Sequence, residues 1–375
     1  MFGKVTPEKA MIFTKRCIAL AYCWPLSATA TKFQLLRFKI LRLATILSGT
    51  LLFLPLVYAT YLHRDNGIAA TRAACLSFPV FQIVVQTSYL MTQYDRLQWL
   101  IERMVAYCQT AKSYERSVFQ QYLDRYSTFY GMSAMWFYGT AFVVVVATLF
   151  ISQPFPTNAE YPFPTDYEPV RTIIFLHQAL VGMQCAAQVS VSVLGALLML
   201  FASARFEILA TELRAVKSVH GLVQCVKKYY NIRRYAQEVV SVVRYISLIA
   251  IACSILSLIL FGIFLIGRAP LAVKLQYVFL AGTALVEVFM CAWPADNLLD
   301  VSANVMTAVY ESTWYNRSLE MQKNVLYLLL PQKPVAISFK CVVPVLSLEY
   351  YCSFVSNAFS MFTALRVMIS DQEEN

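Results

Sequence analysis

Ser353, Ser356, Asn357, Ser360 and Thr363 recur at steps of three and four residues near the end of the chain, and Val367 comes next in the series. A helical turn holds 3.6 residues, so these steps put all of them on one helix face. Phe354, Met361, Phe362 and Leu365 fall on other faces. A polar stripe on an otherwise apolar helix can line a wet pathway for ions. It can equally hold membrane helices together through small, hydrogen-bonding side chains, and the pattern fits both readings. Ionisable residues inside apolar runs form a second group: Arg72, Glu287, Glu349 and Arg366, with Asp296 at the inner edge of one run. A charge in hydrocarbon costs roughly 3 kcal/mol or more, so such residues face a partner or a cavity. Arg72 and Arg366 lie near the ends of their runs, where a long side chain reaches the interface. Glu287 lies mid-run and is either a proton or ion relay or a hydrogen-bonded structural carboxylate.

Phe78, Phe81, Phe137, Tyr138, Phe142 and Tyr277, together with Met183 and Leu280, are candidate walls of an apolar pocket for a small ligand. Ordinary helix packing explains any one of them as well. Metal and triad chemistry lack raw material: the three histidines (His63, His177, His220) are far apart, and the ten cysteines include no CxxC pair. Cys75, Cys185, Cys253, Cys291, Cys341 and Cys352 lie in apolar runs and are expected to be buried free thiols. No metal or cofactor is expected, and no cluster of catalytic side chains suggests an enzyme.

The elements that must position these residues are membrane helices. Of the 375 residues 59% are hydrophobic and 14% charged, against roughly 45–50% and 25% in soluble domains. Water would not tolerate that surplus of apolar surface. A spanning helix needs roughly 20 mostly apolar residues, and such runs cover 40–62, 68–92, 127–151, 172–203, 243–266 and 275–295. A seventh run is divided: Pro331 and Pro334 separate a short apolar piece from the span at 339–369. The apolar stretch 18–26 contains Trp24-Pro25, has no small-residue cleavage site, and is expected to be a re-entrant or interfacial helix rather than a signal peptide.

Positive charge sets the orientation. Segments 1–39, 93–126 and 204–242 hold seven, five and seven Lys or Arg residues, whereas the alternate loops hold only Arg64, Arg171, Arg268 and Lys274. Cytoplasmic loops carry the basic excess, so the N-terminus is expected in the cytosol and the acidic C-terminal tail (370–375) outside. The net charge of +10 is thus a topology signal and not a nucleic-acid surface, which would gather its cations on one stripe. Apolar pairs repeat every three to four residues from Arg96 to Cys108, so the cytosolic segments 93–126 and 204–242 are expected to be helical extensions. The segment 153–171, with Pro154, Pro156, Pro162, Pro164 and Pro169 among aromatic residues, is expected to be an irregular outer lid. Asn316-Arg317-Ser318 is a glycosylation sequon that this topology leaves bare in the cytosol.

The C-terminal segments Pro344-Val345-Leu346-Ser347-Leu348-Glu349 and Ala358-Phe359-Ser360-Met361-Phe362-Thr363-Ala364-Leu365-Arg366 resemble the last helix of insect odorant receptors. Ala308-Val309-Tyr310-Glu311-Ser312-Thr313-Trp314-Tyr315 resembles the segment leaving their sixth span, and Trp24-Pro25 a pair near their N-terminus. The resemblance implies an all-α membrane protein with seven transmembrane helices, the seventh split into a short cytosolic part and a pore-lining part. Transmembrane helices 1–6 (40–295) would form the ligand-binding domain, 296–338 a cytosolic anchor between subunits, and 339–369 the pore helix. It further implies a heterotetramer of an odorant-specific subunit with a shared co-receptor in the plasma membrane of a sensory dendrite. A small volatile odorant bound in the outer half of the bilayer would open it to cations, with the gate at about Ala364, Val367 and Met368. The family often has a tyrosine where Met361 stands and a more polar residue beside the gate. The co-receptor carries a long insertion in its second cytosolic loop, which is short here. A metabotropic seven-helix chemoreceptor needs the opposite topology, and the final-helix signature of gustatory-type receptor channels is not found.

Overall fold

Capping side chains set where the helices begin. α1 (Pro7–Cys17) starts at Thr6, whose hydroxyl accepts from Lys9 N, with proline in the first turn, where its missing N–H costs nothing. α2 (Lys32–Leu62) opens with a capping box between Thr31 and Gln34. Asn66 caps α3 (Gly67–Thr92). α4 (Tyr94–Thr110), α5 (Ser113–Phe150), α6 (Val170–Val189), α7 (Val191–Arg214), α8 (Val219–Ile266) and α9 (Leu271–Glu311) follow. α10 (Leu319–Leu328) and α11 (Leu348–Glu374) end the chain. The computed structural model describes residues 5–150, 154–165, 167–266, 271–329, 332–339 and 344–374.

Among the described residues six segments are long and apolar enough to cross a membrane: α2, α3, α5, α6 continued by α7, α8 and α9. α11, 27 residues long, is the seventh long helix. α8 has 48 residues and so runs ~72 Å, more than twice the ~30 Å of a bilayer's hydrocarbon core. The surplus lengths of α7, α8 and α9 gather with α4 and α10 at one end of the bundle. There Leu97, Leu100 and Met104 of α4 bury against Phe201, Phe206 and Tyr235. The Arg205 guanidinium lies 4.6 Å from the Tyr107 ring centre, a cation–π contact that lets a charge sit among aromatic side chains. α7 is buried along most of its length and forms the axis of the fold. α2 has the opposite character. Leu36, Ile40, Leu43, Leu47, Leu51 and Leu54 form an outward apolar stripe, while Leu52, Leu56 and Ala59 are buried on its other face. Lipid accepts that stripe and water does not.

In four places the structure departs from the sequence reading. The run 172–203 is not one helix: it breaks at Ser190, whose Oγ donates to Ala186 O (2.8 Å), the carbonyl that its own N–H also reaches. The last helix starts at Leu348 and not at 339. Pro344 supplies no donor, Ser347 Oγ accepts from Tyr350 N (3.2 Å) and Asp296 Oδ1 accepts from Leu348 N (3.2 Å). Stretch 18–26 is a single 3-10 turn (Ala19–Ala21) followed by Tyr22 at φ 50°, so the helix lies upstream, in α1. Cys352 is exposed, whereas Cys75, Cys185, Cys253 and Cys291 are free and buried or half-buried; Cys341 lies outside the described residues.

Candidate functional site: an interhelical cavity and an uncovered helix face

Six helices meet around a cavity of about 110 Å³, α2 through Leu52 alone. Each of the others contributes one face at helical spacing: Phe137, Thr140, Ala141 and Val144 on α5, and Gln178, Val181, Gly182 and Cys185 on α6. Cys253, Ser254, Ser257 and Phe261 come from α8, and Leu280, Thr283, Ala284 and Glu287 from α9. α3 adds Pro79, Val80 and Gln82. The space exists because the facing residues are small. A Cβ added at Gly182 would meet nothing within 4 Å.

One end of the cavity is closed by the proline-rich segment. Thr157 donates through both its N–H and its Oγ to Gln178 Oε1 (2.9 Å each), and Gln178 Nε2 donates to the Tyr161 hydroxyl (3.1 Å). Glu160 N donates to Pro55 O (3.3 Å), which ties the segment to α2 as well. Burial raises the Tyr161 phenol above its ordinary range, against a smaller opposing effect of the Gln178 hydrogen bond, so it stays neutral. Deeper in the wall, Gln82 Nε2 donates to Glu287 Oε1 (2.6 Å). Below that pair lies a polar network between helices. Gln188 Nε2 donates to Gln86 Oε1 (2.9 Å), Thr87 Oγ1 to Gln188 Oε1 (3.1 Å), and Gln86 Nε2 to Ile246 O (3.2 Å). Each bond satisfies a group that hydrocarbon would leave unpaired.

Among the residues proposed as pocket walls, Phe137 and Leu280 line the cavity, as does Glu287. Tyr277 is buried one layer behind, its ring 5.8 Å from that of Phe261. Phe78 and Met183 are half-buried and outside the lining. Tyr138 faces α1, its hydroxyl donating to Cys17 O (2.6 Å). Phe81 is exposed on the outside of the bundle, and so is Phe142, at 63%. Sequence reading missed Gln82, Gln178, Gly182, Cys185, Ser254 and Ser257. The signal for the α6 residues was there: small and polar side chains at 178, 182 and 185 share one helix face.

α11 presents two faces. Phe354 is buried, Tyr351 meets Phe289 of α9 at 5.1 Å between ring centres, and Phe362 approaches Gly262 of α8. On the other side Ser353, Ser356, Asn357, Ser360, Thr363 and Ala364 are all exposed. Within the chain, then, the polar stripe holds no neighbouring helix. Ser360 Oγ and Thr363 Oγ1 turn back to the carbonyls of Ser356 and Phe359 (3.0 and 2.9 Å). Glu349 is exposed in the first turn of α11. The side chains of Val367 and Met368 lie outside the described residues. Among the described residues no three His, Cys, Asp or Glu side chains gather as a metal site.

A bundle of membrane-length helices around an interhelical cavity, with one long helix left half uncovered, is the architecture of a multi-pass membrane protein. A family model described as "7tm Odorant receptor" matches residues 66–359. The chain belongs to the seven-transmembrane odorant receptor family, a family of receptors rather than of enzymes. It is similar to Odorant receptor 10 of Aedes albopictus, with 26% identity over 149 residues, an alignment that spans 39% of each protein. Its fold is similar to the solved insect olfactory receptor OR5 from Machilis hrabei, with a TM-score of 0.83 and 15% identity over 96% of this chain and 97% of that one. The same receptor in complex with eugenol gives a TM-score of 0.80 and 16% identity, covering 96% and 98%.

Proposed function

We propose that the chain is the odorant-specific subunit of a heteromeric, ligand-gated, non-selective cation channel, assembled as a tetramer with the insect odorant receptor co-receptor. The observation that carries this reading is the division of α11: Phe354 is buried and Tyr351 and Phe362 pack half-buried on α9 and α8, while its serine, threonine and asparagine row, with Phe359 beside it, is bare. Against lipid that row would be a loss. Around a shared axis it lines a water-filled path. Ala364, Val367 and Met368, a turn beyond the stripe, form the gate.

The ligand is a small volatile molecule held in the cavity between α3, α5, α6, α8 and α9. The eugenol complex of the Machilis hrabei receptor, which shares the fold, supports a ligand of that size. Opening follows from two helices that touch both cavity and pore. α8 offers Phe261 to the cavity and Gly262 to Phe362; α9 offers Glu287 to the cavity and Phe289 to Tyr351. A ligand that fits better when those walls move apart favours the open arrangement by that difference in affinity.

The receptor lies in the plasma membrane of a sensory dendrite. Segment 1–39 and the end where α4 and α10 lie face the cytosol, with 296–338 as the contact between subunits and the tail from 370 outside. Putting a carboxylate into the stripe tests the pore. Ser356→Asp and Thr363→Asp are expected to change single-channel conductance and divalent block while surface delivery and ligand potency persist. Permeation identical to wild type in both variants would overturn the pore assignment.

A further inference from the structure

We propose that Glu287 selects the ligand: the cavity prefers a small, mostly apolar molecule that carries one N–H or O–H donor. The inference rests on the reading of the cavity as the ligand site. Glu287 is 3% exposed and lines the cavity wall. Its carboxyl group has room for about four hydrogen bonds, and the described residues supply one, from Gln82 Nε2 to Oε1 at 2.6 Å. Oε2 receives none from them, and it is not among the polar atoms sealed away without a partner. Its lone pairs therefore open onto the cavity. Among the described residues no Lys or Arg lies within ion-pair distance of it.

Of the other polar groups of the wall, Gln178 and Thr283 are already engaged, whereas the Ser254 and Ser257 hydroxyls of α8 make no hydrogen bond among the described residues and are the weaker, uncharged alternatives to Glu287. Gln178 is bound at both ends of its amide by the closing segment. Thr283 Oγ1 donates to Phe279 O (3.0 Å) and accepts from Trp136 Nε1 (3.1 Å). The remaining lining is largely Val, Ala, Leu, Pro and Phe. A ligand that fills this space removes water from Glu287 Oε2. To the ionised, acceptor-only carboxylate a hydrocarbon or ether gives nothing back, so it loses a hydrogen bond that nothing replaces. An alcohol or an amine restores it. A site built to bond a donor discriminates against the isostere without one far more strongly than an apolar pocket discriminates by size.

The test uses the full-length chain in detergent and reads binding rather than current, as the shift of its thermal-unfolding midpoint. The probes are 1-hexanol, 1-hexylamine and methyl pentyl ether, matched in length. The alcohol and the amine are expected to stabilise the receptor at concentrations about tenfold or more below the ether, and Glu287→Met is expected to remove that preference. Equal potency of alcohol and ether on the wild-type protein overturns the inference without any variant. A preference unchanged in Glu287→Met overturns the assignment to Glu287. If none of the three probes shifts the midpoint, the cavity is not the ligand site, and the proposed function fails together with the inference.

Discussion

At the scale of single residues, the cavity owes its existence to side chains that are small. Gly182 is the clearest case, because a side chain there would project into open space. Gly182→Leu is expected to fold and reach the surface, since its Cβ enters open space on the cavity side. It should nevertheless weaken ligand potency about tenfold or more, because displaced ligand contacts are worth ~0.8 kcal/mol per methylene. A dose–response curve against surface-labelled receptor checks this; unchanged potency would place the ligand elsewhere. Glu287 was legible in the sequence because a carboxylate inside an apolar run is costly anywhere but at a cavity or a partner. The pocket walls were less so. Phe137 faces the cavity, and five residues on, at ~100° per residue, Phe142 points ~140° away. Choosing aromatics by type without fixing one reference face therefore mixed inward and outward positions. The small and polar residues that make the space were overlooked because a void is a property of six helices facing one another, not of one.

At the scale of elements, the spans were legible from apolar length, and their extensions at 93–126 and 204–242 from amphipathic spacing. The helix breaks were not read correctly, although the residues at those positions were visible. Ser190 sits at the break with its hydroxyl on the Ala186 carbonyl, and Ser347 with Asp296 caps α11. Asp296 belongs to α9, so the start of the last helix is set by a residue some fifty positions earlier, which no local pattern discloses. Asp296→Ala leaves the Leu348 N–H without its acceptor and is expected to cost about 1 kcal/mol, visible as a lower unfolding midpoint. A midpoint equal to wild type would mean that this contact does not hold the helix start. The α8–α11 contact makes a different prediction. A Cβ at Gly262 already meets Phe362 Cδ2 at 3.4 Å, so Gly262→Leu pushes the ring and α11 outward. Ligand binding should persist while the maximal current changes. If both stay as in the wild type, α8 does not couple the cavity to the pore.

At the scale of the whole molecule, the proposed topology rests on the distribution of charge, because Lys and Arg favour cytosolic loops irrespective of packing. On the proposed topology Asn316 stays unglycosylated, although its sequon is intact. A new sequon placed in segment 158–163 should gain a glycan, readable as an endoglycosidase-sensitive mass shift. A glycan at Asn316 would invert the topology. The bare face of α11 and the apolar stripe of α2 could not be foreseen as distinct surfaces, since pattern alone does not say which polar row finds a partner within its own chain. The structure shows that the α11 row finds none there. The channel reading is tested most directly by whole-cell current in a heterologous cell, with and without the co-receptor, under a panel of volatile odorants and with G-protein signalling blocked. A fast cation current that needs the co-receptor and survives the block is the expected result. A response that disappears with the block, or a surface-delivered assembly that binds ligand and passes no current, would contradict it.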